Sequence, residues 1–154
     1  MKRATLDVDN LDLQIISLLQ ENSKVYHKDI ARKLKITTGT VLNRIKRLEK
    51  IGVLTSFSIT VDPAKLGYGL TVLILIESDE KCLLNVEEEI AGMSNVISIY
   101  NITGDYNIVL TARFSDKLAL DEFVRSLTAM PFIKRTATNI ASSVIKEGFR
   151  INLN

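Results

Sequence analysis

Residues 37–51 of the chain carry an apolar face and a basic face at helical spacing. At about 100° per residue, Val41, Ile45 and Leu48 fall within one arc, and the opposite arc is polar and basic. Thr37 suits the N-cap because its hydroxyl can accept a hydrogen bond from a first-turn N–H, and Gly52 suits the end of the helix. The segment therefore predicts a short amphipathic helix with one side for a core and one for a partner.

The residues before this helix indicate whether it is an ordinary surface helix or part of a larger motif. An isolated basic amphipathic segment is usually an ordinary surface helix. Here a short apolar stripe that contains the small residue Ala31 comes first, and a turn at Lys35 and Ile36 follows it. Val41 lies ten residues after Ala31, and Ile45 lies four residues after Val41. A small residue at Ala31 allows the close approach that two steeply crossing helices need. This pattern is typical of the helix-turn-helix, whose second helix lies in the DNA major groove.

The charge of the chain is unevenly distributed. Residues 1–52 contain 11 Lys and Arg against 6 Asp and Glu, a net charge of +5, whereas residues 53–154 contain 9 against 12, a net of −3. With 154 residues, of which 46% are apolar, the chain can bury a core in one domain or in two small ones. A basic segment joined to an acidic one favours two domains, the first of which binds a polyanion.

Several classes of protein are disfavoured by what the sequence contains. A single cysteine, Cys82, excludes an intramolecular disulfide, and the first residues lack the apolar run of a signal peptide. The longest apolar run, residues 70–76, is far shorter than the roughly 20 residues that span a bilayer. His27 has no Cys or carboxylate at metal spacing, and no catalytic triad or phosphate loop is present. We therefore expect a cytoplasmic protein without membrane contact, metal, cofactor or enzymatic activity.

The remaining periodicity predicts two further helices in the first domain and a strand after it. Asp9 is placed to cap a helix with Ile15 and Leu19 inward, and Asp12 favours the positive end of its dipole. A second helix should begin near residues 26–28 and end by Leu34. Residues 53–61 alternate as in a strand, and residues 63–69 form a hinge.

The second half of the chain predicts the order strand, helix, strand, strand, helix, strand. The expected strands cover residues 70–78, 96–103, 106–114 and 133–145; Val86 and Ile90 mark the first helix, and the second begins at a Ser115 cap and stops before Pro131. This order predicts an α+β chain: an N-terminal three-helix helix-turn-helix domain, winged-helix-like, and a C-terminal ferredoxin-like βαββαβ domain. We expect the domains at residues 1–53 and 70–154, with a strand and hinge linker at 54–69.

The first predicted strand is apolar on both faces. Its even-numbered residues from Leu70 to Ile76 can face the helices, yet Leu73 and Leu75 point to the other side. One layer of helices covers only one face of a sheet, so we expect a second copy of the sheet to cover the other.

Two motifs resemble those of the Lrp/AsnC (feast/famine) family of prokaryotic transcription regulators. Residues 43–54, NRIKRLEKIGVL, are similar to the family's run in the recognition helix, and residues 103–107, TGDYN, are similar to its T-G-D-Y-D turn. The chain departs from the family pattern at three positions: Tyr26 replaces Ser or Thr, Lys35 replaces Gly or a similar residue, and Asn107 replaces Asp. The last change removes a negative charge from the small-molecule site.

The resemblance implies a DNA-binding transcription regulator whose second domain senses an amino acid. Four residues at the exposed front of the recognition helix could reach base edges: Thr38, Thr40, Asn43 and Arg47. Five others are expected to meet phosphates of double-stranded DNA: Lys24, Arg32, Lys33, Lys46 and Lys50. Arg44 could contact a phosphate or pair with an acidic neighbour. We expect replacement of Arg47 by Ala to weaken specific binding with little effect on folding.

The effector site of the family lies around the Gly-Asp turn, where subunits or dimers meet. The resemblance suggests these residues for a free amino acid: Tyr100, Gly104, Asp105, Tyr106, Thr136 and Thr138. Asp105 can accept from an ammonium group, and threonine hydroxyls can donate to a carboxylate. Gly104 and Asp105 are equally what a hairpin turn alone requires. The resemblance also implies a homodimer, with assembly to an octamer left open.

Two other functions remain alternatives. An architectural protein that coats DNA would bind random and operator duplexes equally. An enzyme or metabolite-binding module would bind an amino acid through residues 63–154 without binding DNA.

Overall fold

The computed structural model of the chain describes residues 7–79 and 83–153, without the side chains of residues 83–85. Cys82 and the side chain of Leu83 lie outside this description. Backbone contacts group the chain into two compact units, Met1–Thr60 together with Gly148–Asn154, and Val61–Glu147. The assignment of separate functions to residues 1–53, 54–69 and 70–154 stays a prediction.

The first unit contains three helices: α1 (Asn10–Glu21), α2 (His27–Leu34) and α3 (Thr38–Lys50). As predicted, Asp9 caps α1 and Thr37 caps α3, and the Thr37 hydroxyl accepts from the N–H of Thr40 at 3.1 Å. The core consists of one buried stripe from each helix: Ile15, Leu19, Ile30, Ala31, Val41 and Ile45. The predicted helix-turn-helix arrangement is confirmed.

The turn between α2 and α3 uses a left-handed backbone. Lys35 has φ 55° and ψ 43°, the conformation that glycine adopts most easily, and its N–H reaches the carbonyl oxygens at the end of α2. Gly52 adopts φ +72° just after α3, as its position predicted. The helix-turn-helix therefore keeps its geometry although lysine occupies the first of these two positions.

The strand predicted over residues 53–61 is absent. Residues 55–62 belong to no helix or strand, and Phe57, Ile59 and Val61 are at least half exposed. Alternation indicates a strand only where a neighbouring backbone supplies hydrogen bonds, and the described residues supply none here. The prediction was wrong because it used side-chain pattern alone.

The second unit begins with a 3₁₀ turn (Ala64–Leu66) and continues as a βαββαβ domain. Its elements are β1 (Leu70–Ser78), α4 (Leu83–Ala91), β2 (Val96–Asn101), β3 (Ile108–Phe114), α5 (Lys117–Thr128) and β4 (Ile133–Ile140). The strands form one antiparallel sheet in the order β2-β3-β1-β4. Val86 and Ile90 of α4 and Leu127 of α5 share one buried core with the sheet, which confirms the ferredoxin-like fold.

The sheet has two different faces. Ile74 pairs with Leu110 of β3 and Thr138 of β4, and Ile74 and Leu110 are buried beneath the helices. Leu73 and Leu75 lie on the opposite face, where Leu73 is 42% exposed. We call this opposite side the outer face.

Several element ends differ from the predictions. Asp116 caps α5 in place of Ser115, since its carboxylate accepts from the N–H of Ala119 at 2.9 Å. β4 ends at Ile140, and residues 148–153 belong to the first unit, where the N–H of Ile151 donates to Gln20 at 2.9 Å. Glu87 of α4 is half-buried, and its Oε1 has no hydrogen-bond partner within the described part of the chain.

Candidate DNA-binding and effector sites

Helix α3 presents polar residues to solvent on the side away from its core. Thr38, Asn43, Lys46 and Lys50 are exposed, whereas Val41, Ile45 and Leu48 are buried. Thr40 is half-buried, and its hydroxyl lies 2.9 Å from that of Thr37 within the N-cap. Between residues 7 and 79, neither lysine has an ion-pair partner, so both ammonium groups are available to an anion.

Arg44 and Arg47 are held by the first turn of α1. Arg44 Nη1 donates to both carboxylate oxygens of Asp9, at 2.7 and 2.8 Å, and to Asp12 Oδ1 at 2.8 Å. Arg47 Nη2 donates to Asp12 Oδ2, and its Nη1 lies 3.3 Å from Asp7 Oδ2. Asp12 is completely buried and also accepts from the N–H of Asp9 at 3.0 Å. Every charge in this network therefore has an opposite partner.

The network shifts the pKa values of Asp9 and Arg44. The hydrogen bond from Arg44, with that from the N–H of Asp12, lowers the pKa of Asp9 below its usual range. The bonds to Asp9 and Asp12 raise the pKa of Arg44. Of the two roles left open for Arg44, the structure shows the pairing with acidic neighbours.

The pairing changes the expectation for Arg47. Its guanidinium contacts a buried carboxylate, so its replacement would leave that charge with fewer donors and would affect folding. The expectation that replacement by Ala has little effect on folding therefore does not agree with this geometry. A sequence signal was present: Asp9 and Asp12 are three residues apart, as are Arg44 and Arg47, so each pair lies on one helix face.

The other predicted phosphate contacts lie on the surface of the first unit. Lys24 and Lys33 are exposed, and Arg32 pairs with Asp29 at 2.6 Å while remaining 81% exposed. A cavity of about 400 Å³ lies beside α3, lined by Asp9, Thr40, Asn43, Arg44 and Arg47. Both basic and acidic groups thus lie beside the exposed side of this helix.

In the second unit, the predicted effector residues fall into separate places. Gly104 and Asp105 are exposed in the turn from β2 to β3, where Gly104 has φ +125°. Tyr100 pairs with Val109 on the outer face of the edge strand β2. Thr136 and Thr138 pair with the buried Ile76 and Ile74, so they lie on the helix-facing side of the other edge strand, β4. One subunit does not bring Tyr100 and the threonines together.

Two residues missed by sequence reasoning lie beside the turn. Glu77 and Arg135 are opposite each other in β1 and β4, with Arg135 Nε 3.2 Å from Glu77 Oε2. The Arg135 guanidinium also lies 4.6 Å from the ring centroid of Tyr106. This contact places a planar donor next to the Gly-Asp turn. No local sequence signal identifies it, since Tyr106 and Arg135 meet only through the sheet.

Asn107 ties the turn to β1. Its Oδ1 accepts from the N–H of Ser78 at 2.9 Å, and its Nδ2 donates to the carbonyl oxygen of Ser78 at 2.9 Å. An amide both donates and accepts, whereas a carboxylate only accepts. Asparagine at position 107 therefore bonds both the N–H and the carbonyl oxygen of Ser78, whereas an aspartate could bond only the N–H.

Among the side chains that the structure describes, no group of three His, Cys, Asp or Glu residues could hold a metal ion. No helix in the described ranges is both long and apolar enough to cross a bilayer.

Similar sequences and structures agree with this geometry. The family model described as Lrp/AsnC ligand binding domain matches residues 71–151, and that described as winged helix-turn-helix DNA-binding matches residues 8–55. An uncharacterised HTH-type transcriptional regulator of Pyrococcus furiosus is 37% identical over 146 residues, 95% of this chain and 99% of that one. Another, of Pyrococcus abyssi, is 33% identical over 144 residues, 94% of this chain and 98% of that one.

Solved structures share the fold. The AsnC family transcriptional regulator from Agrobacterium tumefaciens has a TM-score of 0.87 at 27% identity, over 95% of this chain and 97% of that one. A Neisseria meningitidis transcriptional regulator, solved as a complex with L-Met, has a TM-score of 0.89 at 22% identity, over 96% and 97% of the two chains. The helix-turn-helix unit, the ferredoxin-like unit and these relatives together show that the chain belongs to the Lrp/AsnC family of DNA-binding transcriptional regulators.

Proposed function

We propose that the chain is a sequence-specific transcription regulator whose DNA binding is modulated by an amino acid. The observation that carries the proposal is the exposed side of α3, where Asn43, Lys46 and Lys50 extend from a helix whose opposite side is buried. A helix of this kind on a helix-turn-helix unit fits the major groove. In this proposal residues 1–53 bind DNA, 54–69 link the units, and 70–154 bind the effector and oligomerise.

The exposed residues of α3 divide by chemistry into two roles. The amide of Asn43 can donate and accept at once, which suits a bidentate contact with adenine worth about 1–3 kcal/mol of discrimination. The hydroxyls of Thr38 and Thr40 are also within this surface, although that of Thr40 is shared with the cap. Lys46 and Lys50 suit phosphates, with further contacts proposed for Lys24, Arg32 and Lys33.

Selection of duplexes from a random pool, followed by salt titrations, tests DNA binding. Replacement of Lys46 by Gln should reduce the slope of log affinity against log salt by about one, since one phosphate contact is lost. Replacement of the exposed Lys134 by Gln makes the same charge change in the other unit and should leave the slope unchanged. Equal affinity for selected and random duplexes would favour the architectural alternative.

The effector site is proposed at the Gly-Asp turn. Asp105 is exposed there and can accept from an ammonium group, next to Tyr106 and Arg135. Because Tyr100 and the two threonines lie at opposite edges of one sheet, a site that includes all of them needs more than one subunit. A homodimer that covers Leu73 and Leu75 of the outer face, with or without assembly to an octamer, would supply the second subunit.

Thermal shift measurements with each common amino acid test the effector. L-Met is a reasonable first probe because the Neisseria meningitidis relative was solved with it. Replacement of Asp105 by Asn should weaken the response, whereas replacement of Asp121 by Asn, in α5, should not. If no amino acid shifts the melting temperature or the DNA affinity of the wild type, this part of the proposal fails.

A further inference from the structure

We propose that Asp7 and Asp9, together with the buried Asp12, determine DNA specificity by masking two arginines of the recognition helix. The inference rests on the proposed DNA binding by α3. In this view Arg44 and Arg47 do not contribute to sequence-independent attraction, because the N-terminal carboxylates already occupy them.

The charges of the cluster support this view. Three carboxylates surround two guanidinium groups, a formal net charge of −1, within ion-pair distances of 3.3 Å or less. Asp7 and Asp9 are the outer members, 97% and 53% exposed, so their charges face solvent beside α3. An approaching phosphate therefore meets carboxylates on the side of α3 that faces α1.

The unmasked cations lie elsewhere on the same helix. Lys46 and Lys50 are exposed and have no carboxylate partner among residues 7–79, so phosphates should be neutralised there. Sequence-independent affinity rises with each phosphate neutralised, whereas base readout does not depend on that number. Masking two arginines lowers affinity for random DNA and leaves contacts such as that of Asn43 to decide the binding site.

Asp9 is the position at which masking can be removed without removing the helix cap. Asn caps helices as well as Asp does, so Asp9→Asn keeps an acceptor for the N–H of Asp12, which now lies 2.9 Å from Asp9 Oδ1. The substitution removes one of the two carboxylate charges that pair with Arg44 and leaves only the buried Asp12. The guanidinium of Arg44, already 26% exposed, can then reach a phosphate.

The experiment measures binding of the full chain to short random-sequence duplexes by fluorescence anisotropy across a series of salt concentrations. Asp9→Asn should steepen the slope of log affinity against log salt by about one and raise affinity for random DNA by roughly five- to tenfold at moderate salt. The ratio of affinities for a selected duplex and a random one should fall. Asp7→Asn should act in the same direction with a smaller effect, because Asp7 makes a single, longer contact.

Glu49→Gln is the matched control. Glu49 lies on α3, is exposed, and has no ion pair in the described residues, so its neutralisation changes the net charge equally without releasing an arginine. The control should leave the salt slope unchanged. Circular dichroism and melting confirm that each variant is folded before it is compared.

Each remaining outcome counts against the proposal. If Asp9→Asn and Glu49→Gln have the same slope and affinity, net charge alone is responsible and masking is refuted. If neither aspartate variant binds random DNA more tightly than the wild type, masking is also refuted. If the wild type binds no duplex at all, the proposed DNA-binding function itself fails, and this inference fails with it.

Discussion

Replacement of Asp12 by Ala should strongly destabilise the helix-turn-helix unit. Asp12 is fully buried and accepts hydrogen bonds from Arg44, Arg47 and the N–H of Asp9. Removing one partner of a buried ion pair typically costs about 3–5 kcal/mol. Here Arg44 and Arg47 are 26% and 36% exposed and keep Asp9 and Asp7, so water and these carboxylates offset part of the loss. We therefore expect about 3 kcal/mol, near the lower end of that range.

Hydrogen exchange of the full chain, measured by mass spectrometry, reports the loss of stability separately for each peptide. A loss of about 3 kcal/mol corresponds to roughly 100-fold faster exchange of the most protected amides in α1 and α3. Peptides from β1 and β3 serve as an internal reference, because they belong to the other unit.

Arg32→Ala is the control variant for this measurement. It also removes an ion pair, but Arg32 is 81% exposed, and such surface pairs contribute about 0–1 kcal/mol. Exchange in α1 and α3 should therefore change by only a few-fold. If Asp12→Ala exchanges no faster than Arg32→Ala in these helices, the buried network does not stabilise the unit and the reasoning is refuted.

Asn107→Asp should destabilise the second unit by about 1–3 kcal/mol, because the Ser78 carbonyl oxygen loses its hydrogen-bond donor. Urea unfolding measures this loss against the exposed control variant Asn139→Asp, and equal unfolding midpoints for the two variants would contradict the prediction. Leu73→Asp should reduce self-association in sedimentation experiments, whereas Leu118→Asp, on an exposed site of α5, should not; unchanged association of both would exclude the outer face. The pKa values of Asp9 and Asp116 are lower in the folded state than in the unfolded chain, where they are about 3.9. The ionised carboxylates therefore stabilise the fold above that pH, and this stabilisation is lost as the pH falls through the lower folded-state pKa values. Acid unfolding monitored by circular dichroism below about pH 4 should therefore be less steep in Asp9→Asn, and an identical acid limb would contradict the assignment.

Much of the fold follows from interactions between residues close in sequence. The cap at Thr37 involves a residue three positions away, and the strand predicted over residues 70–78 from its apolar run has the ends that the structure shows for β1. Apolar periodicity likewise identified the buried stripes of α1 and α3. Local hydrogen bonds and side-chain period decide such features, so one sequence is enough to predict them.

The candidate sites depended on tertiary contacts that no local pattern specifies. The strand expected over residues 53–61 lacked a neighbouring backbone among the described residues, and Tyr100 was separated from Thr136 and Thr138 by strand order. Each result depends on which backbones become neighbours after folding, and side-chain alternation does not contain that information.

The sequence by itself determined the helix-turn-helix, the ferredoxin-like order of elements and the family, because these follow from periodicity, caps and short motifs. Only the tertiary structure decided the state of the arginines on α3. Asp12 and Arg47 are 35 residues apart, and their contact exists only because α1 and α3 pack in one core. Burial of that carboxylate makes the pairing necessary, since an unpaired charge cannot be removed from water without a large cost in free energy.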